Sequence, residues 1–431
     1  MLSESSQGHL NTFALYLLYC TALLCFSNPA MGEATLKLFL CVCLITMLCK
    51  WQETLRNPAL YLLLLSIGVQ YGSWEYSQQH HPQYAEARAN LKYLGAIFLF
   101  IPIAWTLRQN NRQPWFLVMV FLIGLCLTPF VKGHGFEEFA HYRSKFGTRN
   151  PQHAALLFAI ALLGLTVFAK RILQINTQTY RTTIILLATA MAFCLSVLVA
   201  TNTRGVILGL LLALMPALVF YLRRREQPID RRIVLVLLSL GLMVVVIFMS
   251  SEQLRARWYI DSPTISAILH GDLNKIPDRT NSGIRIHSWV EGWKWFLESP
   301  IIGWGANGRT LVVEQSDALP IDIRFSFGHL HNSFIEILVN YGILGALLLV
   351  LTYGWLWRTI MKRARYNHDE NVRLFLASFG VLWITANCFE PHIFFKTGMM
   401  VFGIVMGALL SIGNDPEPDG SQHPHALAQS E

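Results

Sequence analysis

The chain has 431 residues, of which 53% are hydrophobic and only 14% charged, with a formal net charge of +8. Soluble domains carry about 25% charged residues, so a water-soluble fold of this length lacks the polar surface it needs. The basic residues lie in short stretches between apolar runs, not on one continuous face, which argues against nucleic acid as a partner and for membrane topology.

A spanning helix needs roughly 20 mostly apolar residues. Runs of this kind cover 10–26, 34–49, 58–72, 91–107, 115–131, 153–169, 183–200, 205–222, 232–249, 332–357, 372–390 and 394–412. They predict an all-α polytopic membrane protein of about twelve transmembrane helices. No basic segment precedes the first run, which therefore reads as an uncleaved helix and not as a signal peptide. The stretches after runs two, four, six, eight and ten hold seventeen Lys and Arg, and the short alternate stretches hold eight. Short basic loops stay in the cytoplasm, so both termini are expected inside and the alternate loops outside. Four parts follow: nine helices over 1–249, one large outer loop over 250–331, three helices over 332–412, and a Pro-rich cytoplasmic tail over 413–431. Within the loop, Ile284, Ile286, Trp289, Trp293, Phe296 and Leu297 recur at helical spacing. They predict an amphipathic helix over 284–297, its aromatic face against the bilayer surface or the top of the bundle. Pro300, Gly303, Gly305 and Gly308 then break the chain into turns.

All eight cysteines fall in or beside apolar runs, with no histidine cluster near the Cys41 and Cys43 pair. They read as small packing residues, neither metal ligands nor a disulfide set.

Charged groups close to a membrane usually serve a function or a partner. Arg204, in Thr201-Asn-Thr-Arg-Gly205, sits at a tight outer turn, either over the bundle centre or snorkelling to lipid headgroups. Arg279 and Arg285 precede the aromatic helix and present forks that suit phosphate oxygens, or else a solvated loop face. His331, at the start of the tenth run, titrates near neutral pH and suits a general base, or else a cap or interfacial residue. Asn332 beside it suits a helix cap. Arg149 enters the sixth run with the same two readings as Arg204, and Glu390 and His392 are weaker candidates. A phosphate-binding P-loop pattern is missing, as is any Asp-x-Asp pair in an outer loop, so neither ATP hydrolysis nor a carboxylate-held metal is indicated.

Three features together resemble the O-antigen ligase family and its wider group of O-antigen polymerases and protein O-oligosaccharyltransferases. They are Thr-Asn-Thr-Arg204-Gly, the Arg285 to Trp289 stretch before Pro300 and Gly303-x-Gly305, and His331-Asn332 opening a helix that reaches Tyr341-Gly342-x-x-Gly345. The resemblance implies a fold related to the GT-C membrane glycosyltransferases, with its large periplasmic loop between helices nine and ten. It implies a bacterial inner-membrane enzyme with a periplasmic active site. Such a ligase moves a polysaccharide from undecaprenyl pyrophosphate to a sugar hydroxyl of lipid A–core, without cofactor or metal and with inversion. On that reading Arg204, Arg285, Arg149 and Arg279 would hold the pyrophosphate, His331 would activate the acceptor hydroxyl, and Asn332 and Trp289 would support them. An O-antigen polymerase is the alternative within the group. A lipid-linked substrate transporter is the alternative of another class, for which corresponding halves with broken helices are expected and not seen.

Overall fold

The structure, a computed structural model, describes residues 3–141, 143–174, 180–222, 241 and 252–413. Among these the secondary structure is entirely helical. The ninth expected span, 232–249, apart from Gly241, and nearly all of the tail lie outside the described residues.

The chain opens with a hairpin of α1 (Glu4–Ser27) and α2 (Pro29–Cys49). Asn28 closes it by accepting from the Met31 N–H at 3.3 Å, and Pro29 starts the second helix with a preset φ. The expected third run extends to α3 (Pro58–His80), whose second half carries Gln70, Trp74, Glu75 and Gln78 and reaches past the apolar stretch. The fourth run is helical over Lys92–Leu107 but is not one α-helix. Short turns over Lys92–Gly95 and Ala96–Leu99 lead into α4 (Phe100–Leu107), and Gly95 stands where the tighter turn begins. After α5 (Gln113–Val131), α6 (Pro151–Val167) and α7 (Tyr180–Thr201), the eighth run divides into α8 (Arg204–Leu212) and α9 (Leu214–Leu222). Pro216 explains the division, because it offers no N–H to the Leu212 carbonyl and its ring crowds that turn.

The loop is structured. It contains α10 (Glu252–Leu269), α11 (Asn281–Glu298) and α12 (Gly308–Glu314). The amphipathic helix is thus present and slightly longer than the 284–297 expected; Thr280 caps it by accepting from the Gly283 N–H at 3.0 Å. Its apolar face meets the bundle: Phe296 is buried, and the Trp289 indole donates to the Leu330 carbonyl at 2.8 Å. Trp293 remains half exposed.

The long α13 (Ser333–Tyr366) is broken at Gly342, where φ is 60° and ψ −157°. Only glycine holds that conformation without strain. The backbone groups freed there are taken up by the turn over 300–305. Trp304 and Gly305 donate to the Val339 and Asn340 carbonyls at 2.9 Å, and Ile343 donates to the Pro300 carbonyl at 2.8 Å. The two glycine motifs are therefore the two sides of one docking contact. Ser73 of α3 completes it, donating to the Asn340 carbonyl and accepting from the Gly305 N–H. The chain ends in α14 (Glu370–Asn387) and α15 (Lys396–Ser411).

Helices α6 and α15 form the centre: α6 is buried from Gln152 to Leu163 and α15 from Thr397 to Ser411. Others face outward. Helix α7 buries Cys194, Val197, Leu198 and Thr201 while exposing Ile184, Ile185 and Leu186. Such a surface is unfavourable in water and suits hydrocarbon, where each helix satisfies its own backbone. Five helices among the described residues are long and apolar enough to cross a bilayer: α1, α2, α5, α7 and α13. Shorter apolar helices cover Lys92–Leu107, Pro151–Val167, Arg204–Phe220 and Lys396–Ser411. The protein is helical and membrane-embedded.

Candidate active site

One end of the bundle gathers several helix termini: the starts of α6, α8, α13 and α15 and the ends of α7 and α14. Glu390, in the turn between α14 and α15, lies at their centre and is fully buried. Asn150 caps α6 through its carbonyl oxygen, accepting from the Gln152 and His153 N–H groups at 2.9 and 3.1 Å. Its amide nitrogen donates to Glu390 Oε1 at 2.8 Å, and Gln152 donates to Oε2 at 3.1 Å. His331 Nδ1 lies 3.2 Å from Oε2, His153 Nε2 3.6 Å from Oε1, and His329 Nε2 4.0 Å from Oε1. Burial pushes the Glu390 carboxyl up, but the adjoining His153 ring and the hydrogen bond to His331 outweigh it and hold the group well below the usual carboxylate range. The carboxylate only accepts, so His331 Nδ1 carries the proton of that bond, and in the neutral ring the lone pair is then on Nε2.

The backbone that carries His331 is pinned on both sides. The Leu330 carbonyl accepts from Trp289, and the Leu330 N–H donates to Glu336 Oε1 at 2.8 Å. Glu336 is in turn bound by Arg309 Nη1 at 3.0 Å, and Arg309 Nη2 donates to the Tyr93 hydroxyl at 3.0 Å. Asn332 caps α13, accepting from the Phe334 and Ile335 N–H groups at 2.9 and 3.2 Å. His331 itself has φ of 54°, the left-handed region, which costs a non-glycine residue on the order of 1–3 kcal/mol. The clamps on either side of it hold that conformation.

The arginines divide. Arg285 is half-buried, and the charges of Glu390, Arg143, Arg204 and Asp261 all act on it. Burial pulls its pKa down from the usual guanidinium value. Among the described residues it has no hydrogen-bond or ion-pair partner. Arg204 is paired with the buried Asp261 of α10. Arg149 stacks over the Phe395 ring at 4.1 Å, and that ring lies 5.1 and 5.5 Å from His153 and His329. Arg143 has φ of 59° and a buried Nε with no hydrogen-bond partner among the described residues. Arg279 goes elsewhere: it binds Asp322 with both nitrogens, at 3.1 and 3.3 Å, on an exposed face. The structure therefore brings His331, Arg285, Arg204 and Arg149 to one end of the bundle and pairs Arg279 outside their cluster.

Residues 189–350 match the O-antigen ligase family. The match runs from α7 through the loop into α13, and so takes in Arg204, Arg279, Arg285, Trp289, His331 and Asn332. No curated protein matches the chain. Arg149, His153 and Glu390 lie outside the O-antigen ligase segment and reach its histidine only through the fold. Sequence reasoning ranked Glu390 low and missed His153, His329 and the Arg309–Glu336 pair. Glu336 was detectable in principle, as an acid in the first turn of an apolar helix. His153 and Glu390 are 237 positions apart, and nothing local joins them.

The donor set can also be read for a metal. His329, His331 and Glu390 each offer a ligand atom, all within 4.8 Å of one another. The Asp-x-Asp criterion applied to the sequence does not detect a site of this composition.

Proposed function

We propose that the chain is an inverting O-antigen ligase, acting on the periplasmic face of the bacterial inner membrane with both termini in the cytoplasm. It would transfer a polysaccharide from undecaprenyl pyrophosphate to a sugar hydroxyl of lipid A–core, on a GT-C-related fold. The observation that carries this reading is the half-buried Arg285, unpaired among the described residues, within electrostatic reach of the His331–Glu390 pair.

The chemistry follows from these groups. The acceptor oxygen attacks the anomeric carbon while the bond from that carbon to the pyrophosphate oxygen breaks on the opposite face, giving inversion. The hydroxyl proton passes to His331 Nε2. Glu390 holds the Nδ1 proton, fixes the tautomer and stabilises the imidazolium that forms, a division of labour worth about 10²–10⁴ in rate. The bonding electrons leave with undecaprenyl pyrophosphate, and its growing negative charge meets Arg285, Arg143, Arg149 and Arg204. Cations already in place before reaction stabilise such charge without reorganising. Arg204 would share its fork with Asp261, and Arg279 would guide lipid headgroups or donor at the rim.

The family match supports a ligase or a polymerase equally. One assay separates them: purified protein with undecaprenyl-pyrophosphate glycan and lipid A–core, in the presence of EDTA, with products resolved by gel. Glycosylated lipid A–core is the expected product. Longer undecaprenyl-linked glycans would make the protein a polymerase. Movement of the lipid-linked glycan with no covalent product would make it a transporter.

A further inference from the structure

We infer that His329, His331 and Glu390 form a site for a divalent transition metal such as Zn²⁺, and that its occupation silences His331 as a base. The binding half stands on geometry. The silencing half rests on the reading of His331 given above.

Two imidazoles and one carboxylate with an open fourth position are a zinc donor set. Tetrahedral bonds of about 2.0–2.2 Å place donors roughly 3.4 Å apart. Here His331 Nδ1 is 3.2 Å from Glu390 Oε2, His329 Nε2 is 4.0 Å from Oε1, and the imidazole rings of His329 and His331 have centroids 4.2 Å apart. Small side-chain rotations close the difference. Among the described residues His329 Nε2 is buried with no hydrogen-bond partner, and so is His153 Nε2, which is 3.6 Å from Oε1 of the same carboxylate. Buried polar atoms normally find a partner; a bound ion would supply one to His329.

Metal at this point uses the Nδ1 lone pair of His331. The ring proton then resides on Nε2, which becomes a donor and accepts nothing from an acceptor hydroxyl. The same ion also takes Glu390 away from Nδ1. Occupation and general-base catalysis are mutually exclusive.

The full-length protein, stripped with EDTA and then freed of it, would be titrated with Co²⁺ and followed by its visible absorption. Expected is one equivalent with the bands of a four- or five-coordinate ion, displaced by Zn²⁺, and X-ray absorption of the Zn²⁺ form showing two imidazoles and no sulfur. His329→Gln should weaken binding by at least about 100-fold, since loss even of an outer-shell partner costs 10–100-fold. Sulfur ligation, no saturable binding, or binding unchanged in a folded His329→Gln protein would overturn the site. Zn²⁺ should abolish glycan transfer and EDTA restore it. Transfer that requires the metal would overturn the silencing. A protein that binds Co²⁺ as described but transfers nothing under any condition would leave the site standing and remove the ligase reading instead.

Discussion

His331 and Glu390 test the proposed chemistry most directly. Replacing Glu390 by Gln keeps the size of the side chain and removes the charge. The amide can then present its N–H to His331 Nδ1 and favour the wrong tautomer. Turnover should fall by about 10²–10⁴, with the affinity for donor much less affected. His331→Ala should abolish transfer while the protein still reaches the membrane; wild-type activity there would remove the base from the mechanism. A second expectation concerns acid. His329 and His392 are both held to about 3 by burial, from an ordinary 6.5. The unfolded chain therefore binds more protons than the folded one between those limits. Stability falls as pH drops through 6.5, and each histidine adds up to about 1.4 kcal/mol per pH unit to the slope. Melting of the purified protein between pH 7 and pH 5 should show this loss, and His392→Phe should flatten it. At this scale the sequence was legible wherever chemistry and local pattern coincide. His331 opens a helix and Arg204 follows a tight turn, while Arg285, expected just before the aromatic helix, lies in its first turns. Sequence reasoning ranked Glu390 low and was silent on His153, because their roles exist only where α6 and the turn after α14 meet in space.

Among elements, the contact between the turn over 300–305 and the break in α13 decides where His331 stands. The turn carries Gly303, with φ of 77° and no room for a Cβ beside Asn340, while α13 carries Gly342. A Cβ on Gly342 would lie 2.3 Å from the Ile301 carbonyl oxygen, in a backbone conformation that L side chains avoid. Gly342→Ala should therefore cost roughly 2 kcal/mol or more and loosen the helix start that holds His331. Gly354, farther along the same helix, has nothing within 4 Å of an added Cβ. Gly354→Ala should be neutral or stabilise by up to about 1 kcal/mol. Melting temperatures of the two variants check the contrast; equal losses would mean that the docking contact contributes little. The glycines themselves were visible in the sequence as breaks. What pairs them was not, because hydrogen bonds between a loop and a kinked helix leave no periodic trace. Helix boundaries failed for similar reasons: the apolar pattern over 205–222 is continuous, and Pro216 divides it through one missing N–H.

At the scale of the whole molecule, the site and the basic loops lie at opposite ends. The starts of α6 and α13 and the end of α14 meet around Glu390. Their far ends carry Arg171, Arg363, Arg365 and Asp369, and Arg171 binds Asp369 at 3.0 Å across that end. Short loops rich in Lys and Arg are retained in the cytoplasm, and the proposed periplasmic site for the cluster of His331, Arg285 and Glu390 rests on that rule. A donor linked to undecaprenyl pyrophosphate needs no nucleotide, which is the condition an outer site imposes. Reporter fusions settle the orientation independently of activity. A fluorescent protein joined after Gly413 should fold and fluoresce, as cytoplasmic fusions do. Alkaline phosphatase joined after His270, in the loop between α10 and α11, should be active, as exported fusions are. The reversed pattern would put the site in the cytoplasm, away from any outward-facing acceptor. The arginines would then face a compartment where nucleotide-linked donors compete for them, and the ligase reading would fail with its chemistry otherwise intact.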